Sequence, residues 1–523
     1  MKFYLFKNAR IHPISSQRIF HWMAVCCGKI LALGDRENTI PPLKYKRIFD
    51  FQGKTILPAF GDAHLHSLWI ARRFFEADLS GADTMQEALR RLQHFAQSHS
   101  IEWIIGRGFN KNLWKDGQPH RKYLDELFPT QPVFLQSLDC HSAWVNSEAL
   151  KRCKINAQTP DPPGGRIEKE NGGLPTGVLY DHAVELVTKH IPQPSTDQVE
   201  FGALQFVKRL HSFGVTTVHT MEDTKAFVFW QSFLKKHPQT LRITIYFKQD
   251  ELETLIKAGL RSGFGDAWLR IGGVKFFSDG SLGSQTALLS QPYEGTKDFF
   301  GLELMDVKEL RERIHLSECN GLAVAVHAIG DRAVERVLKI LKQSENCRKK
   351  FGLVSRIEHA QLIRPDLLPL FKQYGLVASM QPIHIADDVP TAERYWGVRS
   401  RWAYAFRSLT EAGVPLSFGS DAPVAEPNPL KGIFSAVQRR FKFSLTEPSW
   451  HPEEALTPRQ AVAAFTLGIA QAVNQQQNTG SLEPGKFADF IVLNRNPFTV
   501  PEEDLLSVKV EQTFLAGELV YPL

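Results

Sequence analysis

The sequence predicts an α/β protein: a (β/α)8 TIM-like barrel, a small β-sandwich domain built from both chain ends, and an insertion after strand 1. Three observations point to it. Eight short apolar runs alternate with helix-like stretches, as repeated βα units do. Their spacing fits the roughly 31 residues that a ~250-residue barrel allots to each unit. The two chain ends are β-rich, and each is too short to bury a two-sided core alone.

The elements follow in order. Residues 3–6, 24–27, 29–33 and 47–50 are short and β-rich, with turn residues such as Gly28 and Gly34 between them. The runs 489–493, 508–510 and 513–520 read the same way. Residues 1–57 and 480–523 are therefore expected to form the small sandwich, and residues 58–479 the barrel with its insertion. Barrel strands are read at 55–58, 215–219, 241–247, 273–277, 322–327, 354–359, 376–380 and 415–421. Val218 to Thr244 is 26 residues, Thr244 to Val274 is 30 and His327 to His359 is 32, one unit each. Lys275 to His327, at 52, is one unit with an insertion, and His359 to Asp421, at 62, is two. His64 to Val218 spans 154 residues, so residues 75–200 read as an insertion between strands 1 and 2. Its runs 103–106 and 132–135 and its Pro/Gly-rich stretch 160–165 fit a lid over the barrel mouth, with Trp114, Trp144 and His141 near the pocket. Residues 332–341 read as helix. A later helix opens with a capping box: Thr457 at N-cap, Pro458 at N1, Gln460 at N3.

Of 523 residues, 43% are hydrophobic and 23% charged, ordinary values for a chain with a large core. The formal net charge is +6, and no basic stripe accompanies it; the densest cluster is Arg348-Lys349-Lys350. Nucleic acid is therefore not an expected partner. No apolar run approaches the ~18 residues of a membrane span, and the apolar part of residues 1–7 is too short for a signal peptide. No membrane partner is expected. Six cysteines (Cys26, Cys27, Cys140, Cys153, Cys319, Cys347) form no Cys-x-x-Cys pair and no disulfide framework. Buried thiols in a reducing compartment, by default the cytoplasm, are the expectation. A small-molecule substrate is the expected partner, and a homo-oligomer is left open.

The sharpest local signal is His64-Leu65-His66. Residues i and i+2 at a strand end point to one side, so two imidazoles can grip one ion. His327 and His359 each close an apolar strand, and Asp421 closes another. Strand carboxyl ends are where barrel active sites sit. Neutral imidazoles with a carboxylate suit a divalent ion, Zn2+ or similar. Lys275 lies inside the apolar run 272–277, where a bare charge is costly. Either it pairs with Asp279 or snorkels, or it is carbamylated by CO2 and its new carboxylate bridges two ions. Asp279, Gln381, His384 and His141 are second-tier candidates for binding substrate, each with a plain reading as a loop hydrogen-bonder. Glu358, next to His359, is expected to face away from the site and to be structural. No Gly-x-Ser-x-Gly elbow is present, which disfavours a serine hydrolase.

At this point the chain resembles the amidohydrolase superfamily. Residues 56–66, Ile-Leu-Pro-Ala-Phe-Gly-Asp-Ala-His-Leu-His, are similar to its opening motif. Gly214-Val215-Thr216-Thr217-Val218, Val274-Lys275, the two later His strands and Gly419-Ser420-Asp421 follow in that family's order. Gly480–Asp489 resembles its return to the small β domain. The finer resemblance is to the branch containing N-substituted formamide deformylase. It rests on the segments 139–147, 274–284, 327–333, 356–360 and 379–382. Ala59 stands where a Gly is usual, and Phe109-Asn110 where Trp-Asp is common.

The resemblance implies roles. His64 and His66, with Asp421, would bind a first divalent ion; His327 and His359 would bind a second; carbamylated Lys275 would bridge them. It implies a hydrolase of carbon–nitrogen bonds other than peptide bonds, acting on an amide or N-substituted formamide. A metal-activated hydroxide would attack, with Asp421 as general base. One ion or two, and Zn2+ or another, stay open. The first rival is a mononuclear deaminase on the same barrel, which usually carries Glu where this chain has Gly330. The second is a non-catalytic binding protein on a decayed barrel, against which all six ligand types stand intact.

Overall fold

The Val-, Ile- and Ala-rich runs of the middle chain pair side by side, in sequence order and all parallel, around one axis. The computed structural model describes residues 2–98, 101–111, 114–137, 142–162, 165–192, 194–283 and 285–522. The barrel strands are β1 (Phe60–Leu65), β2 (Val215–Glu222), β3 (Arg242–Lys248), β4 (Leu269–Phe277), β5 (Ala323–Ala328), β6 (Arg356–His359), β7 (Val377–Met380) and β8 (Leu416–Phe418). Just past the carboxyl ends of β1 and β8 the ring is closed by a parallel bridge between Leu65 and Ala422. There the Asp421 amide donates to the His64 carbonyl at 2.7 Å, and the His66 amide to the Ala422 carbonyl at 2.8 Å.

One barrel strand lies elsewhere than expected. Thr55–Pro58 runs beside Phe3–Ile11 and Phe490–Leu493 in the terminal sheet, and the barrel begins at Phe60. The switch falls at Ala59 and Phe60. The Ala59 amide donates to the Asp489 carbonyl and the Phe60 amide to the Gly214 carbonyl, both at 2.9 Å. One apolar run thus serves two sheets in turn.

The terminal sheet joins five strands from the start of the chain to three from its end. Its core is aromatic. Phe490 and Phe514 stack with centroids 4.5 Å apart, and Phe6 meets both edge-on at 4.9 and 5.4 Å. Both ends therefore contribute to one apolar cluster, as neither could alone. The terminal sheet is fastened to the barrel by a buried bidentate pair. Arg242 of β3 donates to Asp489 from Nε (2.6 Å) and Nη2 (3.1 Å).

Residues Trp69–Gln205 form a compact unit of their own, with a six-stranded mixed sheet. Trp114 and Trp144, expected at a pocket, are buried in that unit's core with centroids 5.9 Å apart. His141 and Cys140 lie outside the described residues. The capping box at Thr457 forms as the sequence predicts. No helix among the described residues is long and apolar enough to cross a membrane.

The cysteine expectation needs correcting. Cys319 and Cys347 are joined in a disulfide, while Cys26, Cys27 and Cys153 are free. The two half-cystines sit on adjacent outer helices, Val307–Cys319 and Glu345–Phe351, whose approach no local sequence motif announces.

Replacing Asp489 with Ala strands the Arg242 guanidinium in a buried position. Its expected cost is about 3–5 kcal/mol of unfolding free energy, read by urea denaturation. A loss under about 1 kcal/mol would show that this pair does not fasten the terminal sheet.

Candidate metal centre

The strand-end side chains singled out from sequence converge. His64 ends β1's inward-facing set, and His66 follows two residues later. The ring centroids of His64 lie 5.6 Å from His66 and 5.1 Å from His359; those of His327 and His359 lie 4.5 Å apart. Asp421 reaches the same spot from the loop after β8, three residues beyond the strand, with a left-handed φ of 57°. Its Oδ1 is 3.4 Å from His64 Nε2 and 3.2 Å from His66 Nε2.

The tautomers follow from the partners. His64 Nδ1 faces the Glu358 carboxylate at 2.7 Å, and His66 Nδ1 faces the Met221 carbonyl at 3.1 Å. Both partners only accept, so each Nδ1 carries a hydrogen and each Nε2 is the atom turned to the centre. Two ring nitrogens and a carboxylate oxygen then face one another; a proton on His66 Nε2 can bridge to Asp421, and a divalent ion can take that proton's place. A tetrahedral ion with ligands at ~2.0–2.1 Å has ligand–ligand edges of about 3.3 Å, which the two spacings from Asp421 Oδ1 match. The residues present fit a divalent ion.

Electrostatics separates the imidazoles: burial works to lower His66, but its contact with Asp421 outweighs burial and raises it above its ordinary value. Burial, and next Lys275, push His64 down to about 4 and His327 down to about 3, so both imidazoles are neutral ligands. Burial works to raise Asp421, but His64, His66 and His359 outweigh it and hold the carboxyl well below its ordinary value. Lys275 is almost wholly enclosed, its Nζ has no hydrogen-bond partner, and burial lowers it to about 8. It does not pair with Asp279.

Asp279 makes the bonds of its plainer reading, as a loop hydrogen-bonder. Its two oxygens accept from the backbone amides of Leu288 (2.8 Å), Gly330 (2.9 Å) and Ile329 (3.1 Å). It is fully buried, organises the loops after β4 and β5, and lies with Oδ1 3.7 Å from His327 Nε2. Gln381 is buried just after β7. His384 is half-buried, its Nε2 3.1 Å from the Ser420 carbonyl. His141 lies outside the described residues.

Sequence reasoning missed three contributors. Glu358 is the first. In a regular strand it would face away from His359. Arg356 and Glu358 do share the inner face, but His359 has a left-handed φ of 67°, which breaks the alternation and brings it to the same centre. The second is Arg356, whose Nε lies 2.5 Å from Glu358 Oε1, out of line for a hydrogen bond but a close ion pair. The third is Asp62. It accepts from the His64 amide (3.0 Å), the Ser420 amide (3.1 Å) and the Ser420 hydroxyl (2.5 Å), stitching β1 to the Asp421 loop.

Comparisons with known proteins give the family. The profile of the amidohydrolase family matches residues 47–521. The chain is 33% identical over 488 residues to the protein LONG AFTER FAR-RED 3 of Arabidopsis thaliana, covering 90% of this chain and 83% of that one. It is 27% identical over 507 residues to the N-substituted formamide deformylase of Arthrobacter pascens, covering 91% and 90%. The crystal structure of a metal-dependent hydrolase from Pyrococcus horikoshii OT3 superposes with a TM-score of 0.80 at 28% identity, covering 96% of this chain and 99% of that one.

Gly419 lets the Asp62 stitch form. A Cβ there would meet the His64 amide nitrogen at 2.6 Å and Asp62 Oδ1 at 2.7 Å. Gly419→Ala is expected to cost about 1–3 kcal/mol and to weaken metal retention on dialysis against a chelator. Unchanged melting and unchanged retention would contradict this.

Proposed function

The chain belongs to the amidohydrolase family and is a metal-dependent hydrolase of that superfamily, and from this premise we propose that it cleaves a carbon–nitrogen bond other than a peptide bond, in an amide or N-substituted formamide of a small molecule. The convergence of His64, His66 and Asp421 beside His327, His359 and Lys275, whose Nζ has no hydrogen-bond partner, carries this reading. In it, His64, His66 and Asp421 hold one divalent ion, Zn2+ first among candidates, and His327 and His359 hold a second.

When bound, such ions bring a water's pKa towards neutrality and polarise the substrate carbonyl. The chain's own residues do the rest. Asp421, kept ionised by its imidazole neighbours, accepts the attacking water's proton and returns it to the departing amine nitrogen. Glu358 fixes the His64 ring so that Nε2 faces inward. Lys275 links the two halves of the site. With its pKa near 8, about one molecule in ten has a neutral amine at pH 7. That amine adds CO2 and loses a proton, becoming a carbamate. An anion there replaces a buried cation beside two others, relieving both desolvation and like-charge repulsion.

The reading is tested with metal-loaded protein and a panel of N-formyl and N-acyl amines, following amine release. Turnover of at least one such amide supports it. Turnover of esters or phosphoesters alone, or ammonia loss from an aromatic amine, would overturn it in favour of another reaction on this barrel.

Two variants probe the site itself. Lys275→Ala is expected to bring metal content towards one ion and to reduce kcat on the order of 100-fold or more. Glu358→Gln is expected to weaken metal affinity by roughly 10–100-fold with the fold intact by circular dichroism. Wild-type turnover in the first, or wild-type affinity in the second, would contradict the assigned roles.

A further inference from the structure

Far from this centre lies a second cluster of metal-ligating side chains. His315 and Cys319 are one helical turn apart on Val307–Cys319, so they share a face. Cys347 comes from the neighbouring helix Glu345–Phe351. The ligand atoms of all three lie within 4.8 Å of one another. His315 is exposed and the two cysteines are half-buried, so reagents and ions can reach them. Cys319 leads into the start of β5 and Cys347 into the start of β6, at the end of the barrel opposite the strand-end histidines. The length of β5, six residues at ~3.3 Å each, separates the two ends by about 20 Å.

We propose that Cys319 and Cys347 are a reversible redox pair whose dithiol form, with His315, is a site for a thiophilic divalent cation such as Zn2+. In the first step a small thiol reductant breaks the S–S bond. Each protein sulfur gains one electron and one proton, and two reductant thiols join as their own disulfide. In the second step the ion binds the two sulfurs and the imidazole, the thiols shedding their protons, and water completes the tetrahedron.

Two features of the structure support this. The first is spacing. With Zn–S of ~2.3 Å and Zn–N of ~2.0–2.1 Å, a tetrahedral site needs N···S edges of about 3.6 Å and an S···S edge of about 3.8 Å. His315 Nε2 already lies 3.6 Å from Cys319 Sγ. The Cys347 sulfur lies within 4.8 Å of the same imidazole, so parting the two sulfurs and settling Cys347 on the ion is within reach of side-chain rotation.

The second feature is a platform beneath the pair. The sequence neighbours of the two cysteines, Glu318 and Arg348, form a buried ion pair at 2.8 Å. Glu318 also accepts from the Ser355 hydroxyl at 2.6 Å, and that hydroxyl accepts from the Val324 amide of β5 at 3.1 Å. Ser344 adds a further bond to Glu318. These contacts hold the two helices together without the disulfide. Reduction therefore leaves the thiols facing each other, already positioned for an ion.

The test uses the full chain, reduced without denaturant, freed of reductant without air and titrated with Co2+. The strand-end centre contains no sulfur, so a thiolate-to-cobalt charge-transfer band reports cysteine ligation alone. We expect a band that saturates at one ion per chain, is displaced by Zn2+, and is absent from the oxidised protein. Cys319→Ser and Cys347→Ser should each abolish it, and His315→Ala, at an exposed position, should weaken Co2+ binding about 10-fold or more. A disulfide that yields only on unfolding, or no band after reduction, would overturn the site. So would a band that survives in both Ser variants, which would assign it to the free pair Cys26 and Cys27. Unchanged affinity in His315→Ala would overturn the three-ligand arrangement.

Discussion

A single buried arginine ties the inside of the barrel together. Arg356 projects from β6 into a region with no water access. Its Nη2 donates to the Ala63 carbonyl of β1 and its Nη1 to His219 Nδ1 of β2, both at 2.9 Å. Its guanidinium lies 4.2 Å from the Tyr246 ring centre of β3. It therefore braces four strands at once. A charge so enclosed requires a partner, and Glu358 supplies it from two residues along the same strand. The other Glu358 oxygen takes the His64 Nδ1 hydrogen. The charge balance of the barrel core and the direction of the first strand-end imidazole are thus one interaction.

The strand-end centre inherits its shape from this brace and from the β1–β8 closure. Asp62 ties His64 and Ser420 backbones together from beneath, so Asp421 emerges facing the two Nε2 atoms of His64 and His66. Burial keeps His64 and His327 neutral at ordinary pH, and the same burial lowers Lys275. Low polarity, costly for an unpaired cation, suits neutral ligands and a reactive amine alike. The site's chemistry is a consequence of how tightly the barrel core is closed.

Much of this was legible from sequence because the governing rules are periodic. Apolar runs about 31 residues apart gave the barrel, and residues at strand carboxyl ends gave His64, His66, His327, His359 and Asp421 as one group. What escaped depended on departures from period. Glu358 was assigned outward by strict alternation, and the left-handed backbone at His359 defeats that rule. The run at 55–60 reads as one strand but changes sheets at Ala59. Asp279 reads equally as a substrate binder or a loop hydrogen-bonder, and no local pattern reveals the three backbone amides that claim it. The Cys319–Cys347 bond joins cysteines 28 residues apart in sequence, where only tertiary packing decides proximity.

The most direct measurement is an anomalous diffraction map of the metal-loaded, active protein, collected at the absorption edge of the bound ion. The account predicts a peak bounded by His64 Nε2, His66 Nε2 and Asp421 Oδ1, with Glu358 still on His64 Nδ1 and continuous density extending beyond Lys275 Nζ. Active protein without a peak among those three atoms, or with Lys275 as a bare ammonium beside a single ion, would contradict it.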